Sequence, residues 1–505
     1  MTTSFRKSPL RIPSLLGLLS LTLGSLGCSA EEAPEAASPR PDVVMIVVDT
    51  LRADRLAFYG CDRENAPFLS SLAAKGLVYE QGQAPGPWTV PSTASLMTST
   101  YPFQHGVVDG FNWEASDEEN ADETVNRIPS AVETLPEMMR DFGYKTYGVS
   151  ANVLVGVEMG FDRGFDRFSA LDDEIAETVN ATIFEWKEEL LGNEQPNFLY
   201  LHYFDPHDPY YVREPWFDLD ALEAPDATSA SAFARLRAGA WDELDDEMRE
   251  DLLDYLPRML GFEDESEVPE EALANPLDYV LACYDSEIRY LDEHIEKLFE
   301  ELQLDDETMV ILTADHGEEF LDHGQWEHGQ SLFSELVHVP LMIKFPGTDA
   351  PRGRVKEPVS TMDVMPTLRH YLGGEASPQE RGLRLHEQGD PSRVVLTTSV
   401  DLPNPDDDRQ EEGSLVVGVL RGDWKAIVGT ERDRRESEEV EQLFHLTEDP
   451  SEHNERAASD PGVLDALRAE WERIHSATMI YEREFGPVVI DEAMRNHMEG
   501  LGYTD

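Results

Sequence analysis

The sequence predicts an α/β fold: a sheet wound with helices on both faces, followed by a smaller C-terminal α+β subdomain. Three observations predict it. Four uninterrupted apolar runs, PDVVMIVVDT (Pro41–Thr50), NFLYLHYFDPH (Asn197–His207), TMVILTADHG (Thr308–Gly317) and VPLMIKFPG (Val339–Gly347), read as strands buried on both faces. Helical patterns lie between them: in Tyr284–Leu298 apolar residues fall at 284, 288, 291, 295 and 298, which makes one stripe on a helix. From about Pro391 the pattern changes to short strands (VVLTTSV, SLVVGVLRG, WKAIV) and an amphipathic helix near Val463–His475. Strands alternating with helices make a doubly wound sheet, in which ligands bind beyond the carboxyl ends of the strands. Asp49, Asp205, Asp315 and His316 all fall at such ends.

At 505 residues the chain is long enough for one large α/β domain and a smaller one. Hydrophobic residues make up 40% and aromatics 9%, which excludes a disordered chain. The charge excludes more. Against 102 Asp and Glu stand 40 Lys and Arg, and the net charge is −62 with a pI near 4.3. Such a surface repels nucleic acid and anionic lipid, so neither is expected as a partner held by bulk charge. It reads as a heavily solvated surface, and any attraction for phosphate or sulfate has to be local.

Residues 1–27 read as a signal peptide. Arg6, Lys7 and Arg11 form a positive start, and Leu15–Leu26 is an apolar run too short to span a bilayer as a mature helix. Gly27-Cys28 resembles the end of a bacterial lipoprotein signal, with Ser25 where Leu is usual and Leu26 where a small residue is usual. The expectation is an exported protein lipidated on Cys28 and held to the cell envelope by a tether, residues 28–40, so that only the lipid touches the membrane. Plain secretion is the alternative. Cys61 and Cys283 remain, either as a disulfide or as two buried thiols. Residues 41–390 form the main domain and 391–505 the C-terminal subdomain. Within the main domain, 213–276 is an acidic, mostly helical insertion, read as a solvated decoration rather than a lid.

Asp49, Asp315 and His316 bring two carboxylates and an imidazole from two strand ends, with Gly317 allowing a tight turn behind them. That donor set suits one divalent transition metal, zinc or manganese, better than calcium, which prefers oxygen alone. Asp49 by itself would also serve as a helix N-cap. The segment PGPWTVPSTASLMTSTYP (Pro85–Pro102) reads as a turn into a helix, with Pro91 near its first turn. Thr89 then stands at the positive end of a helix dipole, where an oxyanion is stabilised. Taken alone, such a threonine is a cap; beside a metal its hydroxyl becomes a nucleophile.

In this order the segments resemble the sulfatase family within the alkaline phosphatase superfamily. The resemblance runs from about Pro41 to Arg456. It is carried by VVDTLRADRLAFYG, WTVPSTASLMTSTYP, DFGYKTYGVSAN, GFDRGFD, YFDPHDPY, the Tyr284 helix, TADHGEEFLDHGQWEHGQSLFSELVHVPLMIKFPG, VSTMDVMPTLRHYLGG and LFHLTEDPSEHNE. It implies a mixed, largely parallel sheet between helices, a smaller C-terminal domain, and hydrolysis or transfer of esters by residues 41–390. Asp49 matches the family's first metal-binding acid, Asp315 and His316 complete the metal site, and Thr89 matches the nucleophile and a further metal ligand.

Departures from the family pattern direct the chemistry. Sulfatases carry Cys or Ser, oxidised to formylglycine, at the nucleophile position and Arg four residues later; here stand Thr89 and Thr93, so no formylglycine is expected. Thr50 replaces the second acid of the usual Asp-Asp pair, His316 stands where Asn is frequent, and His328 falls at the position of an active-site Lys. These changes point to the threonine-nucleophile type, found in phosphodiesterases, phosphonate hydrolases and envelope phosphoglycerol or phosphoethanolamine transferases. The implied mechanism is displacement onto the Thr89 oxygen, then release by water or an alcohol. His207 and His328 would bind the transferred group or protonate the leaving oxygen. The expected substrate is a small-molecule, glycan or lipid anionic ester, with phosphorus favoured over sulfur. Asp205, His207 and His328 could furnish a second cation site, but one metal is expected. His338 is given a structural role, and Trp424-Lys425, Phe444-His445-Leu446 and a turn at Glu452–Asn454 none in catalysis. The competing readings are a sulfuric ester hydrolase without formylglycine and an inactive surface lipoprotein that binds anionic glycans.

Overall fold

The computed structural model describes residues 40–110, 124–219, 246–262, 265–385, 389–401, 414–433 and 436–487. The expected signal peptide, the tether up to residue 39 and the lipidation site Cys28 lie outside them. Eight strands make the central sheet: β1 (Val43–Val48), β2 (Leu77–Tyr79), β3 (Lys145–Ser150), β4 (Arg167–Ala170), β5 (Asn197–Tyr203), β6 (Met309–Ala314), β7 (Leu341–Lys344) and β8 (Gly353–Val355). Their order across the sheet is β8-β2-β7-β6-β1-β5-β3-β4. β7 runs antiparallel to both its neighbours, and every other pair is parallel. The sheet is therefore mixed and largely parallel.

Continuous apolar strands need cover on both faces, and each face has its own core. Val44, Ile46 and Val48 of β1, with Leu199, Leu201, Val310 and Leu312, pack on one side; Val43, Met45 and Val47, with Phe198, Tyr200, Met309 and Ile311, pack on the other. The second face is covered by helix α1 (Thr89–Thr98) through Val90, Ala94, Leu96 and Met97. The first is covered by α2 (Ala176–Glu185), α3 (Asp246–Met259) and α4 (Pro276–Glu301). The helix expected over 284–298 is the interior of α4. It starts two turns earlier with Pro276 at its first position, and Leu277, Val280 and Leu281 are buried too.

Helix α3 corrects the reading of the 213–276 insertion as a solvated decoration. Leu256, Met259, Leu260, Val268 and Ala272 are buried in the main core. The Tyr210 amide donates to the Met259 carbonyl at 2.7 Å. The Tyr255 hydroxyl donates to Glu327, so this helix leans on the segments that carry His207 and His328. Cys61 and Cys283 are free thiols, Cys283 buried. Among the described residues no helix is long and apolar enough to cross a membrane.

After a short helix α5 (Ser334–Val337), the C-terminal part builds an antiparallel sheet in chain order: β9 (Val395–Asp401), β10 (Ser414–Arg421), β11 (Trp424–Asp433) and β12 (Glu436–His445). Helix α6 (Pro461–Ala477) covers it with Leu464 and Leu467. β12 has no counterpart among the expected strands, because ESEEVEQLFH carries too few apolar residues to read as one. The turn at Glu452 has more weight than a loop tip. Glu452 and Lys425 are both buried, with Oε1 2.8 Å from Nζ, and Glu452 Oε2 accepts the Ser334 amide at 2.6 Å. The backbone of α5 in turn braces the chain after β6, with Gly317 N to Leu336 O at 2.7 Å and Glu318 N to Glu335 O at 3.0 Å. Breaking a buried ion pair on one side strands a charge. Lys425→Met is expected to cost about 3–5 kcal/mol in denaturant unfolding, and Lys425→Met/Glu452→Gln to recover most of it.

Candidate metal centre and nucleophile

Alternation along three neighbouring strands builds the site. Val47 of β1 pairs with His202 of β5 and with Thr313 of β6. Since side chains change face at every residue, Asp49, His202 and Asp315 all emerge on the face covered by α1, at the carboxyl edge. Thr89, the first residue of α1, meets them there. Ser92 Oγ donates to the Asp315 carbonyl at 2.5 Å, pinning the helix start to the strand end. Behind His316 the chain must pass close under α5. A Cβ on Gly317 would stand 1.9 Å from the Glu335 carbonyl oxygen, so no other residue fits.

Asp49, Asp315 and His316 are wholly buried, and one donor atom from each lies within 4.8 Å of the others. His316 Nε2 is 3.4 Å from Asp49 Oδ1, 3.6 Å from Asp315 Oδ2 and 3.1 Å from Thr89 Oγ1. His316 Nδ1 faces the Gly317 carbonyl at 2.8 Å; a carbonyl only accepts, so Nδ1 carries the proton and Nε2 presents its lone pair. Among the described residues Asp49 Oδ1 and Asp315 Oδ2 have no hydrogen-bond partner. Bonds of about 2.0–2.2 Å to a common cation would put tetrahedral neighbours about 3.3–3.6 Å apart, close to the spacing seen. Two orphaned carboxylate oxygens, an imidazole lone pair and a hydroxyl thus fit a divalent cation.

The electrostatics agree. Burial, then the like charge of Asp49, pushes the Asp315 carboxyl well above the usual carboxylate range. Burial acts on Asp49 as well, but His202 and the other imidazoles outweigh it and hold its carboxyl low. His316 is pushed well below the ordinary imidazole range by burial and by nearby His328, and so stays neutral.

His207 and His328 complete a row of rings, with centroids 5.1 Å apart and His328 4.4 Å from His316. His207 Nδ1 sits 2.8 Å from the Asp208 carbonyl and 3.0 Å from the Asp208 carboxylate. Burial opposes the imidazolium, yet Asp208, Asp49 and Glu318 together hold the pKa of His207 well above the ordinary value. Glu318 does the same for His328 from 3.0 Å, against burial. Asp205 does not join them. Its carboxylate accepts the Ala176 amide at the start of α2 and pairs with Arg213 at 3.2 Å, which removes it as a second-cation ligand. His338 bonds the Glu80 carbonyl at 2.8 Å, and His323 pairs with Glu335 and stacks on Phe333. Thr93 lies buried one turn after Thr89, its hydroxyl without a hydrogen-bond partner among the described residues.

Two residues escaped the sequence reading. Asn152 donates to Asp49 Oδ2 at 2.7 Å, and His202 Nε2 stands 3.5 Å from Asp49 Oδ2 and 3.7 Å from Asp315 Oδ2. The signal for His202 was its place on a buried strand, on the odd-even face that ends in the site. Asn152 had no such signal.

A family-wide sequence profile described as Sulfatase matches residues 41–374. Choline-sulfatase from Rhizobium meliloti (strain 1021) is 25% identical over 522 residues, covering 90% of this chain and 92% of its own. A phosphonate monoester hydrolase from Silicibacter pomeroyi superposes with a TM-score of 0.64 at 18% identity, over 88% of this chain and 96% of that one. A protein solved with its substrate D-glucosamine-2-N,6-O-disulfate superposes with a TM-score of 0.58 at 15% identity, over 92% and 99%. These structural likenesses are of fold. Because a cation bound here would relieve the acid pair, chelator-stripped protein is expected to gain about 2.7 kcal/mol of stability at a hundredfold excess of metal over Kd. Asp315→Asn is expected to abolish most of that gain in thermal unfolding.

Proposed function

Because the chain belongs to the sulfatase family of ester-bond hydrolases, we propose that it cleaves monoanionic phosphate or phosphonate esters through a covalent intermediate on Thr89. One observation carries this reading: a fully buried threonine hydroxyl at the first position of a helix, 3.1 Å from His316 Nε2 and beside an acid pair with orphaned oxygens. A divalent cation held by Asp49, Asp315 and His316, zinc or manganese by its donor set, supplies the charge that neutralises the acids and acidifies the hydroxyl. Held there, the cation would favour loss of the Thr89 hydroxyl proton, as metal binding releases protons from its ligands. Thr89 Oγ1 then bonds to phosphorus as the bond to the leaving oxygen breaks. His207, kept protonated by Asp208, gives that oxygen its proton. In the second half, water attacks the phosphothreonine, its proton returns to neutral His207, and the Thr89 oxygen leaves. His328, raised by Glu318, binds the non-bridging oxygens.

The charge of the substrate follows from its surroundings. Among the described residues the ion pairs of the Asp49, Asp315 and Glu318 carboxylates are with imidazoles, while Arg52 donates to the Glu318 backbone carbonyl at 2.9 Å. A divalent cation balances the two acids, and Asp208 and Glu318 balance two imidazolium ions. Little positive charge is left over, which favours a monoanionic diester or phosphonate ester over a phosphomonoester dianion. Export through residues 1–27 and a lipid on Cys28 belong to the same reading, and place the enzyme in the cell envelope.

Three results test it. Metal-loaded protein is expected to turn over a bis-aryl phosphate or an aryl phosphonate faster than an aryl sulfate; the reverse order sinks the phosphorus preference. Thr89→Ala is expected to lose about 10⁴–10⁶-fold in kcat, while acid-quenched native protein carries the phosphoryl group on Thr89 in mass spectrometry. His207→Gln should cost about 10²–10⁴-fold with alkyl leaving groups and far less with p-nitrophenolate. The sign of the pH effect follows from the raised pKa: the acid is in place at low pH, and kcat/KM with alkyl leaving groups falls as pH rises through that pKa.

A further inference from the structure

We infer that His202 is a positioning residue of the metal centre: it turns Nε2–H toward both metal-binding acids, and Tyr200 fixes it in that tautomer. Four observations support this. Tyr200 and His202 sit two residues apart on β5, on the same face as Asp49 and Asp315. The Tyr200 hydroxyl lies 3.0 Å from His202 Nδ1, its only hydrogen-bond partner among the described residues. A buried phenol must place its proton somewhere, and the nitrogen lone pair is the acceptor on offer. If Nδ1 accepts, the proton of the neutral ring is on Nε2. That atom is fully buried, forms no full hydrogen bond, and looks toward Asp49 Oδ2 at 3.5 Å and Asp315 Oδ2 at 3.7 Å.

The contrast with His316 makes the assignment. His316 donates from Nδ1 to a carbonyl and so offers Nε2 as a lone pair. His202 accepts at Nδ1 from a hydroxyl and so offers Nε2 as a proton. The first is built to ligate, the second to hold carboxylates. In keeping with this, His202 stands outside the group whose donor atoms lie within 4.8 Å of one another. The two Oδ2 atoms face one N–H between them, with Asn152 donating to Asp49 Oδ2 from another side. Outer partners of this kind orient ligands and set affinity.

This rests on the metal reading of Asp49, Asp315 and His316, and the experiment separates the two. Full-length protein stripped by chelator is titrated with zinc, and separately with cobalt, against a competing chelator. His202→Gln is expected to weaken zinc affinity about 10–100-fold, while the cobalt-loaded variant keeps the visible absorption of the native protein, because no ligand is lost. Tyr200→Phe, which keeps the ring in its packing, is expected to weaken affinity in the same direction and serves if His202→Gln does not fold. Native affinity in a folded His202→Gln or Tyr200→Phe overturns the inference, and so does an altered cobalt spectrum in His202→Gln, which would make His202 a ligand. A native protein that takes up no cation overturns the metal centre itself.

Discussion

Two carboxylates that repel each other, Asp49 and Asp315, are buried side by side at the tips of adjacent strands, and the rest of the centre is arranged around that repulsion. Their nearest donor oxygens lie within 4.8 Å, a separation at which two unit charges repel by about 3–4 kcal/mol even at an effective dielectric constant of 20. Burial adds to the cost. A protein bears such a pair by keeping one carboxyl protonated, as the raised Asp315 indicates, or by supplying positive charge to both. The orphaned inward oxygens, the helix start at Thr89 and the ring of imidazoles are responses to one constraint. The same need accounts for Gly317, since the ligand pair Asp315-His316 has to be turned back beneath α5 with no room for a Cβ.

What differentiates the imidazoles is the atom facing Nδ1. A carbonyl fixes His316 as a lone-pair donor, a carboxylate raises the pKa of His207, and a glutamate raises that of His328. A phenol, by the inference above, turns His202 the other way. Four copies of one side chain thereby take different tasks, with the choice made by outer neighbours rather than by distance to the cation. Glu318 joins this layer to the insertion, because it also accepts the hydroxyl of Tyr210, whose amide is held by the end of α3.

The parts legible in the sequence are those whose signal is local. β1, β5 and β6 are unbroken apolar runs because both faces are covered, so the acids at their ends stood out without knowledge of the strand order. Thr89 was legible because helix starts have their own grammar. His202 was not. It looks like an ordinary strand residue until β5 is known to lie beside β1 in a register that sets His202 against Val47. Asp205 erred in the opposite direction: it stands at a strand end like the other acids, but Arg213 and the start of α2 claim it. The 213–276 segment misled through composition, because an acidic outer face hides the few residues, Leu256 and Met259 among them, that reach the core. The Lys425–Glu452 pair joins residues whose neighbourhood only the assembled sheet determines.

The surface charge of −62 and a site for anions need reconciling. In physiological salt a charge is screened beyond about 8 Å, so an ester in solution senses the acidic surface weakly and the final approach decides affinity. There a bound cation would offset the two acids, and imidazoles are the cationic side chains paired with the Asp49, Asp315 and Glu318 carboxylates. An imidazolium can give its proton away and a guanidinium cannot. In the reaction proposed above, the positive charge that His207 would bring toward the substrate is the same proton that would depart with the leaving group. Attraction for the bound ester would then weaken as the bond breaks, so that one site could both hold an anion and release its product.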